Sequence, residues 1–99
     1  MTGKLVEFHQ EAATEYEAAV EWYAQHSRLA ARKFVFEVDR ALNFISEAPN
    51  RWPKHTHGTR RFLLQHFPFA IVYRESSPAV HVIAIAHGRR RPGYWKERF

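Results

Sequence analysis

The sequence predicts an α+β fold in the order β-α-α-β-β-β, with a helical hairpin packed on one face of a small, mostly antiparallel sheet. Three observations carry this. Residues 11–25 and 28–47 repeat their apolar side chains at three- and four-residue steps, as amphipathic helices do. Residues 59–66, 70–75 and 79–87 are rich in β-branched and aromatic side chains, and their spacers, Phe67-Pro68 and Ser76-Ser77-Pro78, suit hairpins. The break between the helices, His26-Ser27, is short enough to force them antiparallel.

In chain order, residues 4–8 (K-L-V-E-F) alternate as a short first strand. The first helix turns Ala12, Tyr16, Ala19, Val20 and Tyr23 inward and its glutamates mostly outward. Tyr16 and Tyr23 form the seam of the hairpin, and Trp22 falls towards its outer side. Ser27 suits the N-cap of the second helix, whose inner stripe is Ala31, Phe34, Val38, Ala41, Leu42 and Ile45. Pro49 disfavours helical geometry at Ala48 and ends it. Residues 50–58 read as loop, and the three strands follow. Along the last, Val80, Val82, Ala84 and Ala86 alternate towards the helices. His81, Ile83, Ile85 and His87 alternate towards a second face, the expected working surface.

A chain of 99 residues without repeats or linkers is expected to form one domain, residues 1–99. Apolar residues make up 45% and charged ones 25%, the balance of a globular protein, and no run approaches membrane-spanning length. The absence of cysteine excludes disulfides and thiolate metal sites. The amino-terminal M-T-G-K-L-V-E-F has no long apolar segment, so a cytoplasmic protein is expected.

The net charge of +5 is concentrated: Arg89, Arg90, Arg91, Lys96 and Arg98 stand against Glu97 alone in the tail. Pro92-Gly93 turns the chain there, and Tyr94-Trp95 lies between the cations. Arginine forks match phosphate or carboxylate oxygens, so the tail predicts an anionic partner, a nucleic acid or an acidic protein segment. Trp95 either stacks a base or folds back to pin the tail to the core. His55-x-His57 has no carboxylate or cysteine beside it for a metal. His81 and His87 are ~20 Å apart at ~3.3 Å per strand residue, too far to share an ion. Ser76-Ser77 reads as turn chemistry. Neither a metal nor another cofactor is expected.

The element order and four stretches resemble the toxins of the RelE/ParE superfamily from bacterial type II toxin–antitoxin systems. The stretches are E-A-x-x-E-Y-E-A-A-V-E-W-Y on the first helix, P-N-R-W-P after the second, R-R-F-L-L-Q-H-F-P-F-A-I-V-Y across the middle hairpin, and I-A-I-A-H-G-R-R-R-P-G-Y-W at the end. The resemblance implies a growth-inhibiting toxin, of the kind associated with plasmid stabilisation, neutralised by a cognate antitoxin. It implies operator DNA binding only through the antitoxin complex, and no membrane partner. One branch of the superfamily poisons DNA gyrase; the other cuts mRNA, usually on the ribosome. The chain matches the cutting branch at Arg61, Arg89 and an aromatic near Tyr94. It departs at Leu63 and Ala70, where that branch commonly carries further basic residues, and this favours the gyrase-directed reading.

For cleavage, His87 would serve as base or acid, Arg61 and Arg89 would stabilise the developing phosphorane charge, and Tyr94 would donate a proton or stack a base. Arg60, Arg90, Arg91, Trp95, Lys96 and Arg98 would contact the target or the antitoxin. A harmless nucleic-acid-binding domain is the third reading. Each has a structural counterpart: His87 as an inert strand-end histidine, Arg61 as a solvated charge, the arginine run as a solubilising tail.

Overall fold

A computed structural model describes residues 3–76 and 78–99; Ser77, read above as part of a turn, lies outside the described residues. Strand β1 (Leu5–Phe8) leads into helix α1 (Gln10–His26) and helix α2 (Arg28–Glu47), followed by β2 (Arg60–Leu63), β3 (Phe69–Ser76) and β4 (Ala79–His87). The sheet order is β1-β4-β3-β2. β4 runs parallel to β1 and antiparallel to β3, and β2 is antiparallel to β3, so the sheet is mostly antiparallel as expected.

Local chemistry sets the helix ends. The Ser27 hydroxyl accepts the Ala30 N–H and caps α2, while Ala48 leaves helical geometry at φ −148° just before Pro49. α1 begins one residue earlier than its periodicity implied, because the His9 ring accepts the Glu11 N–H and caps it. The loop after α2 holds two short 3-10 turns, Pro49–Arg51 and Thr56–Gly58. The buried Tyr73 hydroxyl, its pKa pushed up to about 12 by burial, donates to the Pro49 carbonyl and ties this loop to the sheet.

β2 is shorter than the expected 59–66. Thr59 is drawn into the preceding turn, its hydroxyl donating to Thr56 O at 2.7 Å. Beyond Leu63, the Glu37 carboxylate on α2 accepts the N–H groups of Gln65 and His66, which takes them out of the ladder.

The face assignment along β4 needs a correction. Val80 and Val82 do pack under the helices with Phe34, Val38, Ile45 and Tyr73. The register then slips between Val72 and Tyr73: Val72 pairs with Ala84 but Tyr73 with Val82, leaving Ile83 as the extra residue of a β-bulge. A one-residue bulge inverts alternation downstream. Ile85 therefore joins the helix-side core, while Ile83 and Ala84 pack on the opposite face beneath Trp95, with Ala86 beside them.

The aromatic share fills the helix side of the sheet. Phe34 touches Tyr16, Tyr23, Phe67 and Phe69 at centroid distances of 5.9, 5.2, 5.2 and 5.3 Å, which links both helices to the β2–β3 connection. Among the described residues no helix is long and apolar enough to cross a membrane.

Candidate functional site

The tail does not trail into solvent. After His87 it descends through successive tight turns, closed by Arg90 N–H to His87 O, Tyr94 N–H to Arg91 O, Lys96 N–H to Gly93 O and Arg98 N–H to Trp95 O. Gly93, at φ +76°, supplies the left-handed backbone these turns need. The path packs Trp95 on the sheet face away from the helices, 2% exposed, against Val72, Ile83 and Ala84. Trp95 is thus the pin of the tail, the second of the two roles open to it in the sequence.

A second anchor holds the edge of β4. β1 stops opposite Val82, so among the described residues no strand pairs with the rest of β4 on that side. Glu15 of α1 reaches this edge and accepts the Ile85 N–H at 3.0 Å. Arg98 completes the seal: its Nη1 donates to Ile83 O at 3.1 Å and to Glu15 Oε1 at 3.0 Å, and its Nη2 to Glu15 Oε2 at 2.8 Å. The Tyr94 hydroxyl also donates to Glu15 Oε2, at 2.8 Å. Burial, this hydrogen bond and the nearby carboxylate charge raise the Tyr94 pKa well above the usual phenol value, despite Arg90 and Arg98 lying over its ring at 3.8 and 5.1 Å. The hydrogen bond from Arg98 to Glu15 outweighs burial and holds the guanidinium pKa above its ordinary value.

Anchoring the tail creates a concavity of about 320 Å³ on the helix-free face of the sheet. Arg61 borders it from β2, Arg90 and Arg91 from the tail and His55 from the loop, over an apolar floor that includes Ala70 and Val72. No acidic side chain lines it among the described residues. Burial, then the charges of Arg61 and His57, push the His55 pKa below its ordinary value, which favours the neutral imidazole. The site can hold an anion against a flat apolar surface.

Of the residues singled out from sequence, Arg61, His87, Arg90, Arg91, Tyr94 and Trp95 line this concavity. Arg89 and Lys96 are exposed and stand outside it, Arg60 is half-buried with its Nη1 donating to Trp52 O at 2.7 Å, and Arg98 is turned inward to Glu15. The His87 Nδ1 and the Tyr94 hydroxyl are engaged elsewhere. His87 Nδ1 accepts the Arg89 N–H at 3.0 Å, and its ring meets Phe69 edge-on at 5.0 Å. An accepting Nδ1 places the proton of a neutral imidazole on Nε2, which then donates and does not serve as a base. Tyr94 is a poor acid for the reason just given.

Sequence reasoning missed Glu15 and His55. The signal for Glu15 was present: it lies three residues after Ala12 and four before Ala19, inside the buried stripe of α1, where a carboxylate needs a partner. For His55 the sequence offers only its spacing from His57, a metal-pair pattern that says nothing of a neighbouring arginine.

The family model of the "ParE toxin of type II toxin–antitoxin system, parDE" matches residues 6–92. A solved structure, the chromosomal ParDE TA system from P. aeruginosa, is similar in fold at a TM-score of 0.74 and 18% identity, covering 88% of this chain and 98% of that one. No curated protein matches the chain significantly.

Proposed function

Given that the chain belongs to the ParE toxin family of type II toxin–antitoxin systems, we propose that it acts on DNA gyrase by binding, with the cationic concavity and the arginine run as its contact surface. The observation that carries this reading is the engagement of His87 and Tyr94. Cleavage by the 2′-hydroxyl needs one group free to take a proton and another free to give it. Here the Nδ1 of His87 is held by the Arg89 N–H and the Tyr94 hydroxyl by Glu15. What remains available is charge and surface: Arg61, Arg89, Arg90, Arg91 and Lys96. Ala70 in the floor offers no cation to a scissile phosphate.

As a toxin of this class the chain has a cognate antitoxin partner. Contacts of antitoxin carboxylates with Arg90 and Arg91 would mask the same surface and keep the toxin silent. Operator DNA would be bound through the antitoxin complex, and the site of action would be the cytoplasm, where gyrase works. A ribosome-directed mRNA endoribonuclease is the competing reading.

Inducing the chain alone in a bacterium, with DNA and protein synthesis pulse-labelled separately, tests the proposal. DNA damage preceding any loss of protein labelling is the expected result. Early arrest of protein synthesis with intact DNA would replace gyrase by mRNA as the target, and normal growth would remove both.

A further inference from the structure

A hollow of about 600 Å³ opens on the helix side of the sheet, beside the part of β4 that β1 does not cover. Trp22, Tyr23 and Phe69 wall it, and Ala18, Ala19 and Ile85 give it a low apolar floor. The walls are fixed. His26 stacks on the Trp22 indole at 4.0 Å and 25°, and its Nδ1 donates to the Trp22 carbonyl at 2.7 Å. Tyr23 is wedged against Phe34 and Phe67 at 5.2 and 5.0 Å. Trp22 is nevertheless 56% exposed, a large ring held still yet open to an incoming molecule. The polar groups at the rim are donors. Arg90 lies over the Tyr94 ring at 3.8 Å, and Glu15 holds the Tyr94 hydroxyl, so the guanidinium is steadied at the mouth. His87 lines the hollow as well, and its Nδ1 accepts the Arg89 N–H, which leaves Nε2 to donate. Among the described residues Glu15 is the one carboxylate in the lining, and Arg98 matches both its oxygens. Arg90 is therefore the charge left over.

We infer that this hollow is a binding site for a small aromatic carboxylate. Its volume falls in the range of small-molecule sites, roughly 300–1,000 Å³, and its lining has their make-up, apolar and aromatic with a few convergent polar groups. Flat aromatic walls around small floor side chains suit a fused or substituted ring. Charge decides the rest. A carboxylate at the mouth gains a charge-assisted hydrogen bond from Arg90. An ammonium would meet Arg90 as a like charge, and an uncharged molecule would dehydrate the guanidinium without pairing it. An extended peptide fits less well. Adding a strand to β4 requires a free edge, but the Ile85 N–H is already taken by Glu15 and Ile83 O by Arg98. The assignment rests on size, shape and charge, and not on the gyrase reading.

The test titrates three molecules built on one ring system into the full nitrogen-15-labelled chain and follows amide and indole shifts by NMR. They are 2-naphthoate, 2-naphthylmethanol and 2-naphthylmethylammonium. Naphthoate is expected to bind with a Kd below ~1 mM, the alcohol at least ~5-fold more weakly and the ammonium more weakly still. The largest shifts should fall on the Trp22 indole N–H and on residues 85–87. Ala18→Leu fills the floor from an exposed helical position with a good helix former. It should weaken naphthoate by ~10-fold or more while circular dichroism stays unchanged. Arg90→Gln should bring naphthoate down to the affinity of the alcohol and leave the alcohol where it was. Equal binding of the three molecules, no binding by naphthoate, or indifference to Ala18→Leu would overturn the assignment. So would shifts centred on Arg61 and Val72, since the acid would then sit in the cationic concavity instead.

Discussion

Glu15 and Arg98, 83 positions apart in the chain, close on each other with both oxygens and both terminal nitrogens, at 3.0 and 2.8 Å. Their side chains are only 16% and 9% exposed, so the pair works in a medium where charge is strong and an unpaired ion is costly. Through it the first helix, the open edge of β4 and the tail become one unit.

Removing one partner should therefore cost more than removing both. Glu15→Ala leaves a nearly buried guanidinium and an unpaired Ile85 N–H, and is expected to lose about 2–4 kcal/mol. Each kcal/mol lowers the Tm by roughly 4–8 °C in a domain of this size. The double variant Glu15→Gln/Arg98→Met should be more stable than either single change summed predicts, which a thermal-melt double-mutant cycle reads directly.

Trp95→Ala should cost about 3–5 kcal/mol, the range for deleting a large buried ring. The tail should then lose its protection while the helices keep theirs, so hydrogen exchange at residues 94–98 would rise first. A uniform rise across the chain would mean that the tail has no separate anchor.

The two tail glycines separate backbone strain from crowding. A Cβ at Gly93 would meet the His57 ring at an ordinary 3.7 Å, but φ is +76°, so Gly93→Ala should cost roughly 1–2 kcal/mol. Gly88 has an equally open site, 3.5 Å from Pro68 O, without a positive φ. Gly88→Ala should cost well under half as much, by urea unfolding of the two variants.

Acid should loosen the junction of α2 with the β2–β3 connection. Burial alone would raise the Glu37 pKa, but hydrogen bonds from the His66 ring and the Gln65 and His66 N–H groups outweigh it and bring the pKa below the ordinary 4.5. A carboxylate depressed on folding stabilises fully above its unfolded value and loses that contribution as pH falls through the folded one. The stability of the natural chain should thus decline below about pH 4.5. Glu37→Gln should flatten that part of the profile, as chemical unfolding across pH would register.

Much of this fold was legible because short-range chemistry decides it. Ser27, Pro49 and the two apolar stripes gave α2 its limits, Arg28 and Glu47. The bulge at Ile83 was not legible, since V-H-V-I-A-I-A-H alternates without a break and only the register against Val72 and Tyr73 reveals the slip. That slip carries Ile85 to the helix side and Ala84 and Ala86 to the far face. The basic tail was plain from composition, yet its division into anchors (Trp95, Arg98) and exposed cations (Arg89, Arg91, Lys96) depends on Glu15, a residue 83 positions away from Arg98. Contacts of such separation leave no local pattern to read.

The most direct test of a binding, non-cleaving toxin is growth inhibition by two sets of variants expressed to equal levels. Arg61→Ala/Arg91→Ala removes exposed charge, with an expected stability change within ~0.5 kcal/mol. His87→Gln removes the imidazole without adding charge. The arginine pair is expected to abolish DNA damage while His87→Gln still damages DNA. Loss of toxicity in His87→Gln, with the arginine pair still toxic, would contradict it.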